Sequence, residues 1–189
     1  WEESKSVCQK FLKDFNGTDY IVSPSASCVG FVRNYYSKLF DNSSFHHEVQ
    51  DTGKRIYELS EFLVNVLKVN DLGASLNGKA TYHDSCAGLR ECKIKTEPRQ
   101  LLSKVKGLQL AEMNDVETCC GFGGTFAVKF EGISIGMGEQ KVENAIATGA
   151  DYLISTDLSC LMHLQGYINH KGYKIQTMHL ADVLASGWA

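Results

Sequence analysis

Apolar residues follow two patterns along this chain. Short continuous apolar runs are typical of buried β-strands, whereas apolar residues that return every three or four positions predict amphipathic helices. The predicted strands are 19–23, 79–83, 108–112, 151–155 and 175–178. The predicted helices are 2–15, 28–39, 56–68, 98–104, 139–148, one beginning near Cys160, and 179–186. Residues 41–53, which include His46 and His47, are polar and are predicted to be irregular.

Strands and helices alternate with short connections, which predicts an α/β fold with parallel sheets covered by helices. In such sheets, functional side chains collect on the loops that follow the carboxyl ends of strands. Cysteines occupy loops of this kind at four places. They are Cys28, Cys86, the adjacent pair Cys119-Cys120, and Cys160.

The chain contains an internal repeat. Residues 18–28 align without a gap on residues 150–160, with Asp, Tyr, Ser, Ser and Cys identical, and the flanking helices also align. A repeat of this size indicates two duplicated, Rossmann-like α/β halves. We predict the end of a first half at residues 1–70 and a complete second half at 78–189. We also expect the chain to be truncated at its N-terminus, because the first half keeps its final cysteine, Cys28, and has no counterpart of the cysteine pair.

Composition narrows the range of functions. The chain has 189 residues, 43% of them hydrophobic, and a net charge of −3 without a Lys/Arg cluster, which argues against a nucleic-acid-binding protein. No apolar run reaches the length of about 20 residues that a transmembrane helix needs. Seven cysteines in a chain rich in other core residues indicate free or metal-bound thiols in a reducing compartment, so we predict a cytoplasmic protein.

The stretch Cys119-Cys120-Gly121-Phe122-Gly123-Gly124 combines adjacent thiols with glycines. Thiolates are ligands for zinc, copper(I) and iron–sulfur clusters, and glycine lets the backbone approach a bulky group. Two buried free cysteines beside a loop are the alternative. Nucleotide binding is disfavoured, because the stretch lacks both the G-x-G-x-x-G frame and the GK[ST] ending.

The chain resembles the cysteine-rich CCG-domain family, which includes a subunit of heterodisulfide reductase and the iron–sulfur subunit of glycolate oxidase, and within it the bacterial lactate-utilisation group. The resemblance covers essentially the whole chain. The stretches that carry it are 22–28 (VSPSASC), 80–86 (ATYHDSC), 102–108 (LSKVKGL), 119–126 (CCGFGGTF) and 178–184 (MHLADVL).

The resemblance implies an iron–sulfur cluster, expected to be [4Fe–4S], and electron transfer within a complex of several subunits. The expected ligands are Cys86, Cys119, Cys120 and Cys160, with Cys28 as the remnant of a first-half site. The expected function is that of an iron–sulfur subunit in a complex that oxidises L-lactate to pyruvate, so that the chain belongs to an oxidoreductase but is not active alone. No catalytic residue is assigned.

One departure from the family pattern bears on the site. The family motif ends in C-x-x-C, whereas here His163 stands where the second cysteine would be. This disfavours a five-cysteine, non-cubane cluster and leaves His163 as a candidate substitute ligand or a packed histidine. His83 precedes the loop of Cys86 and is a candidate hydrogen-bond partner or a core histidine. Cys92 lies in a charged stretch and is predicted to be an exposed thiol.

Three classes of function remain open at this point. The first is the lactate-oxidising electron-transfer subunit. The second is a hydroxyacid oxidase or thiol–disulfide reductase subunit with the same cluster site. The third is a non-redox interaction module, either stabilised by zinc on four thiolates or without metal.

Overall fold

The computed structural model describes residues 1–40 and 44–188 and has an α/β fold with parallel sheets. The helices are α1 (Glu2–Asp14), α2 (Ala26–Leu39), α3 (His46–Arg55), α4 (Leu59–Glu61), α5 (Glu97–Leu102), α6 (Thr125–Lys129), α7 (Glu131–Ala147), α8 (Leu158–Lys171) and α9 (Leu180–Ala185). The strands are β1 (Ile21–Ser23), β2 (Ile56–Glu58), β3 (Ser75–Tyr82), β4 (Lys106–Leu110), β5 (Tyr152–Ser155) and β6 (Gln176–His179). Phe62–Val66 and Gly88–Cys92 form π-helical turns.

Two parallel sheets organise the chain. The larger has the strand order β4-β3-β5-β6, and the smaller pairs β1 with β2. In the larger sheet, Ala80 pairs with Leu110 on one side and with Tyr152 on the other. All of its strands run in the same direction, so their carboxyl ends lie along one edge. The predicted α/β class with parallel sheets is therefore confirmed, and the arrangement is Rossmann-like.

The larger sheet has a separate apolar core on each face. One core contains Leu101, Leu102 and Leu180 from α5 and α9. The other contains Val142 and Leu164 from the long helices α7 and α8. Both faces are therefore covered by helices, which explains why β5 reads as a continuous apolar run instead of an alternating one.

Packing crosses the predicted division between the halves. The core beneath the smaller sheet includes Cys92 and Ile94, which lie beyond residue 78. In the other direction, Leu63 and Val64 from the π-helical turn after α4 pack against the core of the larger sheet. The division at residues 70–78 stays a prediction.

Helix α2 contacts the start of α8 through its first turn. Asp157 Oδ1 accepts hydrogen bonds from the backbone N–H of Ser27 at 3.1 Å, from Ser27 Oγ at 2.8 Å and from Ser25 Oγ at 3.3 Å. Ser25 caps α2, and Asp157 holds the equivalent N-cap position of α8. The repeat therefore brings two equivalent helix starts into contact.

The structure corrects two predicted segments. Residues 56–68 were predicted to be one helix, but residues 56–58 form β2, and the helical turns begin at Leu59. Within the predicted irregular stretch 41–53, His46 and His47 begin α3, while residues 41–43 lie outside the described part. Three residues are too few to show the alternation typical of a strand. The sequence therefore does not distinguish β2 from the helix that follows it directly.

The first two helices also leave large apolar side chains exposed. In α1, Val7 is 64% exposed, and Cys8 and Leu12 fill the core. In α2, Phe31 and Tyr35 are substantially exposed and stack on each other, with ring centroids 5.5 Å apart. Within the described ranges 1–40 and 44–188, we find no helix whose length and apolar character would suit a bilayer crossing.

Candidate metal centre

The carboxyl ends of three adjacent strands carry Cys86, Cys119, Cys120 and Cys160. Strand β3 leads directly into the loop with Cys86, β4 leads into the longer connection with Cys119 and Cys120, and β5 is followed by α8, whose first turn contains Cys160. Since β4, β3 and β5 are neighbours in a parallel sheet, these loops emerge side by side. The topology thus places four thiols in one region.

The four thiols lie near one another. Cys120 Sγ and Cys160 Sγ are within 4.8 Å of each other, and Cys119 is close enough to Cys86 and to Cys120 for each to shift the pKa of the other. Hydrogen bonds from Cys120 and Cys86 strongly lower the pKa of Cys119, whereas the contact with Cys119, together with burial, raises the pKa of Cys86 and of Cys120.

The glycine loop wraps closely around the cysteine pair. Gly121 N–H donates to Cys119 Sγ at 3.4 Å, and the buried Ser134 Oγ of α7 donates to the Gly121 carbonyl at 2.7 Å. Gly121 has a φ of +92°, and a Cβ atom there would lie 2.5 Å from the Ser134 carbonyl oxygen. Glycine is thus required at this position both for the backbone conformation and for the close approach of α7.

His83 is buried beside the thiols without a hydrogen-bond partner for its ring. It is 0% exposed, and neither ring nitrogen has a partner among the described residues. A ring nitrogen of His83, Cys120 Sγ and Cys160 Sγ lie within 4.8 Å of one another. Burial lowers the pKa of His83 to about 3, so the imidazole is neutral. Unpaired buried nitrogens are costly, and here they lie next to soft donor atoms.

A second network fixes the loop that carries Cys86. Both terminal nitrogens of Arg99 bind the buried carboxylate of Asp84, at 2.8 and 2.9 Å, and the same guanidinium binds Glu112. The Arg99 guanidinium also lies over the Tyr82 ring, 5.2 Å from its centroid. Arg99 therefore ties the end of β3 to the segment that follows β4.

Lys141 of α7 is a buried cation that the sequence pattern alone did not single out. It is 1% exposed, and its Nζ donates to the carbonyl oxygens of Asp115 and Val116, in the segment leading to the cysteine pair. Burial lowers its pKa. The sequence offers one signal that Lys141 is buried. It lies on the inner face of α7, where it interrupts an apolar stripe that includes Val142 and Ala145.

The remaining candidates lie apart from this group of ligand atoms. Cys28 is exposed at the start of α2. His163 Nε2 faces the Ser134 carbonyl oxygen at 3.3 Å, and its ring lies 6.1 Å from that of Phe122. Cys92 was predicted to be exposed, which is wrong: it is buried, and its Sγ donates to the Ala26 carbonyl at 3.3 Å. The charged neighbours of Cys92 point outward, while the π-helical turn directs its thiol into the first core.

Cys119 borders an open cleft. Its side chain is partly exposed, and the cleft, of about 780 Å³, is also lined by Arg90, Val116, Thr118 and Met137. Cys120 and Cys160, in contrast, are buried. The group of thiols therefore has one side toward solvent and one side toward the core.

The donor set fits a soft metal or an iron–sulfur group. Four thiols come from three separate segments, an unpaired histidine lies beside two of them, and a glycine loop keeps Cβ atoms away from the pair. Thiolate sulfur is the ligand that zinc and iron–sulfur clusters share. Hard cations such as Mg²⁺ and Ca²⁺ prefer oxygen ligands and do not fit this set.

Comparison with known proteins agrees with the cysteine pattern. Residues 80–165 match the family model described as CCG, cysteine-rich domain. The chain is 43% identical over 185 residues to lactate utilization protein A of Bacillus cytotoxicus, covering 98% of this chain and 77% of that protein. It is 46% identical over 182 residues to lactate utilization protein A of Halalkalibacterium halodurans, covering 96% and 75%. It is also 43% identical over 187 residues to lactate utilization protein A 2 of Bacillus cereus, covering 98% and 77%.

Proposed function

The chain belongs to the lactate utilization protein A family of cysteine-rich CCG-domain proteins, and from this premise we propose that it is an iron–sulfur electron-transfer subunit of a complex that oxidises L-lactate to pyruvate. The observation that carries the proposal is the meeting of four thiols at the carboxyl edge of the larger sheet. A bound [4Fe–4S] cluster would accept and release single electrons, which is the chemistry that such a subunit needs.

The protein's own residues have distinct roles in this proposal. Cys86, Cys119, Cys120 and Cys160 would hold the cluster as thiolates. The hydrogen bond from Gly121 N–H to Cys119 Sγ stabilises negative charge on that sulfur. Burial of Cys120 and Cys160 keeps water away from one side of the site. The low dielectric constant on that side strengthens the hydrogen bonds that are made there.

The open cleft beside Cys119 indicates the side of the site from which electrons would enter or leave. Cys119 is more exposed than Cys120, and the cleft that it borders is wide and open to solvent. A redox partner that docks over this cleft would come closer to the cluster than one that docks on any helix-covered face. We therefore place the contact with the other subunits of the lactate-oxidising complex on this side.

A zinc-stabilised module is the second candidate, because one observation favours it. Two ligand atoms at about 2.3 Å from the same ion lie at most about 4.6 Å apart. The grouping of His83, Cys120 and Cys160 within 4.8 Å is close to that limit. A cluster of several iron atoms requires the sulfurs to spread further apart, so metal analysis separates the two candidates.

A hydroxyacid oxidase or thiol–disulfide reductase subunit would use the same thiols. Its substrate is what would distinguish it from a lactate-oxidising subunit. We propose to purify the full-length protein anaerobically with its co-purifying subunits and to follow the visible absorption of the cluster. L-Lactate is expected to bleach the band of the oxidised cluster, whereas glycolate is not, and a disulfide is not expected to restore the band of the reduced cluster. In the complex with Cys119→Ser, L-lactate should cause no bleaching. Bleaching by glycolate but not by L-lactate would overturn the choice of substrate.

A further inference from the structure

The outer face of α2 is covered by the second π-helical turn. Cys92 Sγ donates to the Ala26 carbonyl oxygen at 3.3 Å. A Cβ atom on Gly30 would lie 2.5 Å from Glu91 Cβ, so the turn packs directly on the helix. One helical turn further along α2, Asn34 Nδ2 donates to Glu91 Oε2 at 2.7 Å. Residues four positions apart lie on the same face of a helix, so Ala26, Gly30 and Asn34 form one stripe, which we call the α2 stripe.

Helix α8 carries an equivalent stripe, displaced by the 132 residues of the internal repeat. It consists of Leu158, Met162 and Gly166, and we call it the α8 stripe. Leu158 and Met162 are each 61% exposed, whereas Ala26 on α2 is 0% exposed and Gly30 is buried. The inner apolar faces of the two helices, in contrast, are buried in both halves. The repeat therefore has one covered stripe and one exposed stripe at equivalent places.

The α8 stripe is suited to binding a short segment of chain. Leu158 and Met162 lie one helical turn apart and present apolar surface to solvent, and removing such surface from water is favourable. Beside them is a groove of about 540 Å³, which residues of α7 and α8 line, Met162 and Gly166 among them. The first two positions of the α8 stripe have larger side chains than those of the α2 stripe. A segment that fits must therefore carry small side chains where it crosses these two positions.

We propose that the α8 stripe binds a short helical turn that is the counterpart of Gly88–Cys92 in the first half. Displaced by the length of the repeat, this counterpart falls outside residues 1–189. The related proteins are longer than this chain, which covers 77% of the Bacillus cytotoxicus protein and 75% of the Halalkalibacterium halodurans protein. The two halves of the full-length protein then cover each other reciprocally, with the turn of the second half on α2 and the turn of the first half on α8.

Side-chain footprinting of the full-length protein tests the proposal without any substitution. A photolysed diazirine labels exposed side chains, and mass spectrometry gives the labelling of each residue relative to the unfolded protein. Leu67 is the internal reference, because it is 51% exposed and directly follows the first π-helical turn, which packs on the opposite face of the larger sheet. Met162 should be labelled about tenfold less than Leu67, since a covered side chain reacts only when the structure opens locally. Equal labelling of the two residues would overturn the proposal.

The same measurement separates the proposed turn from other occupants of the α8 stripe. A partner subunit would protect Met162 only after that subunit is added. A second copy of the protein would protect Met162 only at high protein concentration. Either result would overturn the proposal, which requires protection in the isolated, dilute, full-length protein.

Met162→Asp and Leu67→Asp form a matched pair of variants, because each places a carboxylate at an apolar position that is exposed in residues 1–189. In the full-length protein, Met162→Asp should lower the melting temperature, because the turn would bury the carboxylate. Leu67→Asp should change the melting temperature little. A full-length Met162→Asp that does not fold, beside a Leu67→Asp that does, would also support the proposal, whereas equal effects of the two variants would contradict it. Neither readout depends on iron, so the proposed function can fail without affecting this result.

Discussion

Ser25 and Asp157 stand 132 residues apart at equivalent positions of the internal repeat, and their side chains meet, with Ser25 Oγ donating to Asp157 Oδ1 at 3.3 Å. The internal repeat thus brings two equivalent side chains together, at the N-cap positions of α2 and α8. Cys28 and Cys160, which are also equivalent in the repeat, lie three positions further along these helices.

This contact predicts that Asp157 stabilises the packing of α2 against α8. Asp157→Ala removes the acceptor of three hydrogen bonds and should lower the free energy of unfolding by about 1–3 kcal/mol. Asp157→Asn, which keeps one oxygen acceptor, should cost less. In a double-mutant cycle measured by urea denaturation, Asp157→Ala should couple to Ser27→Ala and not to the exposed Ser4→Ala. Additive effects of Asp157→Ala and Ser27→Ala would show that the contact between them does not contribute to the free energy of unfolding.

The loop of Cys86 is predicted to depend on Arg99. Arg99→Met leaves the Asp84 carboxylate, which is 2% exposed, without its partner. Breaking a buried pair in this way costs about 3–5 kcal/mol. Thermal or denaturant unfolding measures the loss. Lys95→Met is the control, since the Lys95–Glu117 pair lies on the surface and its removal should change stability little. A similarly small loss for Arg99→Met would contradict the role given to Arg99.

Two alanine substitutions in the glycine loop separate backbone strain from steric clash. Gly121 and Gly124 both have positive φ, for which a side chain costs about 1–2 kcal/mol. A Cβ atom at Gly121 also meets the Ser134 carbonyl, whereas a Cβ atom at Gly124 has nothing within 4 Å. Gly121→Ala should therefore lose more stability than Gly124→Ala, and it should also lose iron. Equal losses in both variants would mean that the contact with α7 is unimportant.

His83 is predicted to donate a hydrogen bond to a cluster sulfur, since its ring nitrogens have no other partner among the described residues. His83→Leu should leave the stability of the metal-free chain unchanged or higher, because unpaired buried nitrogens are removed. In the loaded protein, it should remove a weak nitrogen hyperfine coupling from the pulsed EPR spectrum of the reduced cluster. His163→Leu, at a histidine that faces Ser134 instead, should keep the coupling. A coupling that persists in His83→Leu would argue against this hydrogen bond.

Much of this structure follows from local sequence signals. The alternation of strands and helices predicts the parallel sheet, and the positions of Cys86, Cys119, Cys120 and Cys160 after strands predict their common edge. The interior pairing of Arg99 with Asp84, and the carbonyl groups that accept from Lys141, could not be predicted, because both depend on contacts between distant segments. Cys92 shows the same limit, since its charged neighbours indicate exposure while a π-helical turn directs its thiol inward.

The metal content of the anaerobically purified chain tests the central claim most directly. Iron, acid-labile sulfide and zinc are measured in the wild-type protein, in Cys119→Ser and in Cys92→Ser, whose thiol lies in the other core. The account predicts about four iron atoms and four sulfides per wild-type chain, their loss in Cys119→Ser and their retention in Cys92→Ser. One zinc ion without sulfide, or equal iron in all three proteins, would contradict it.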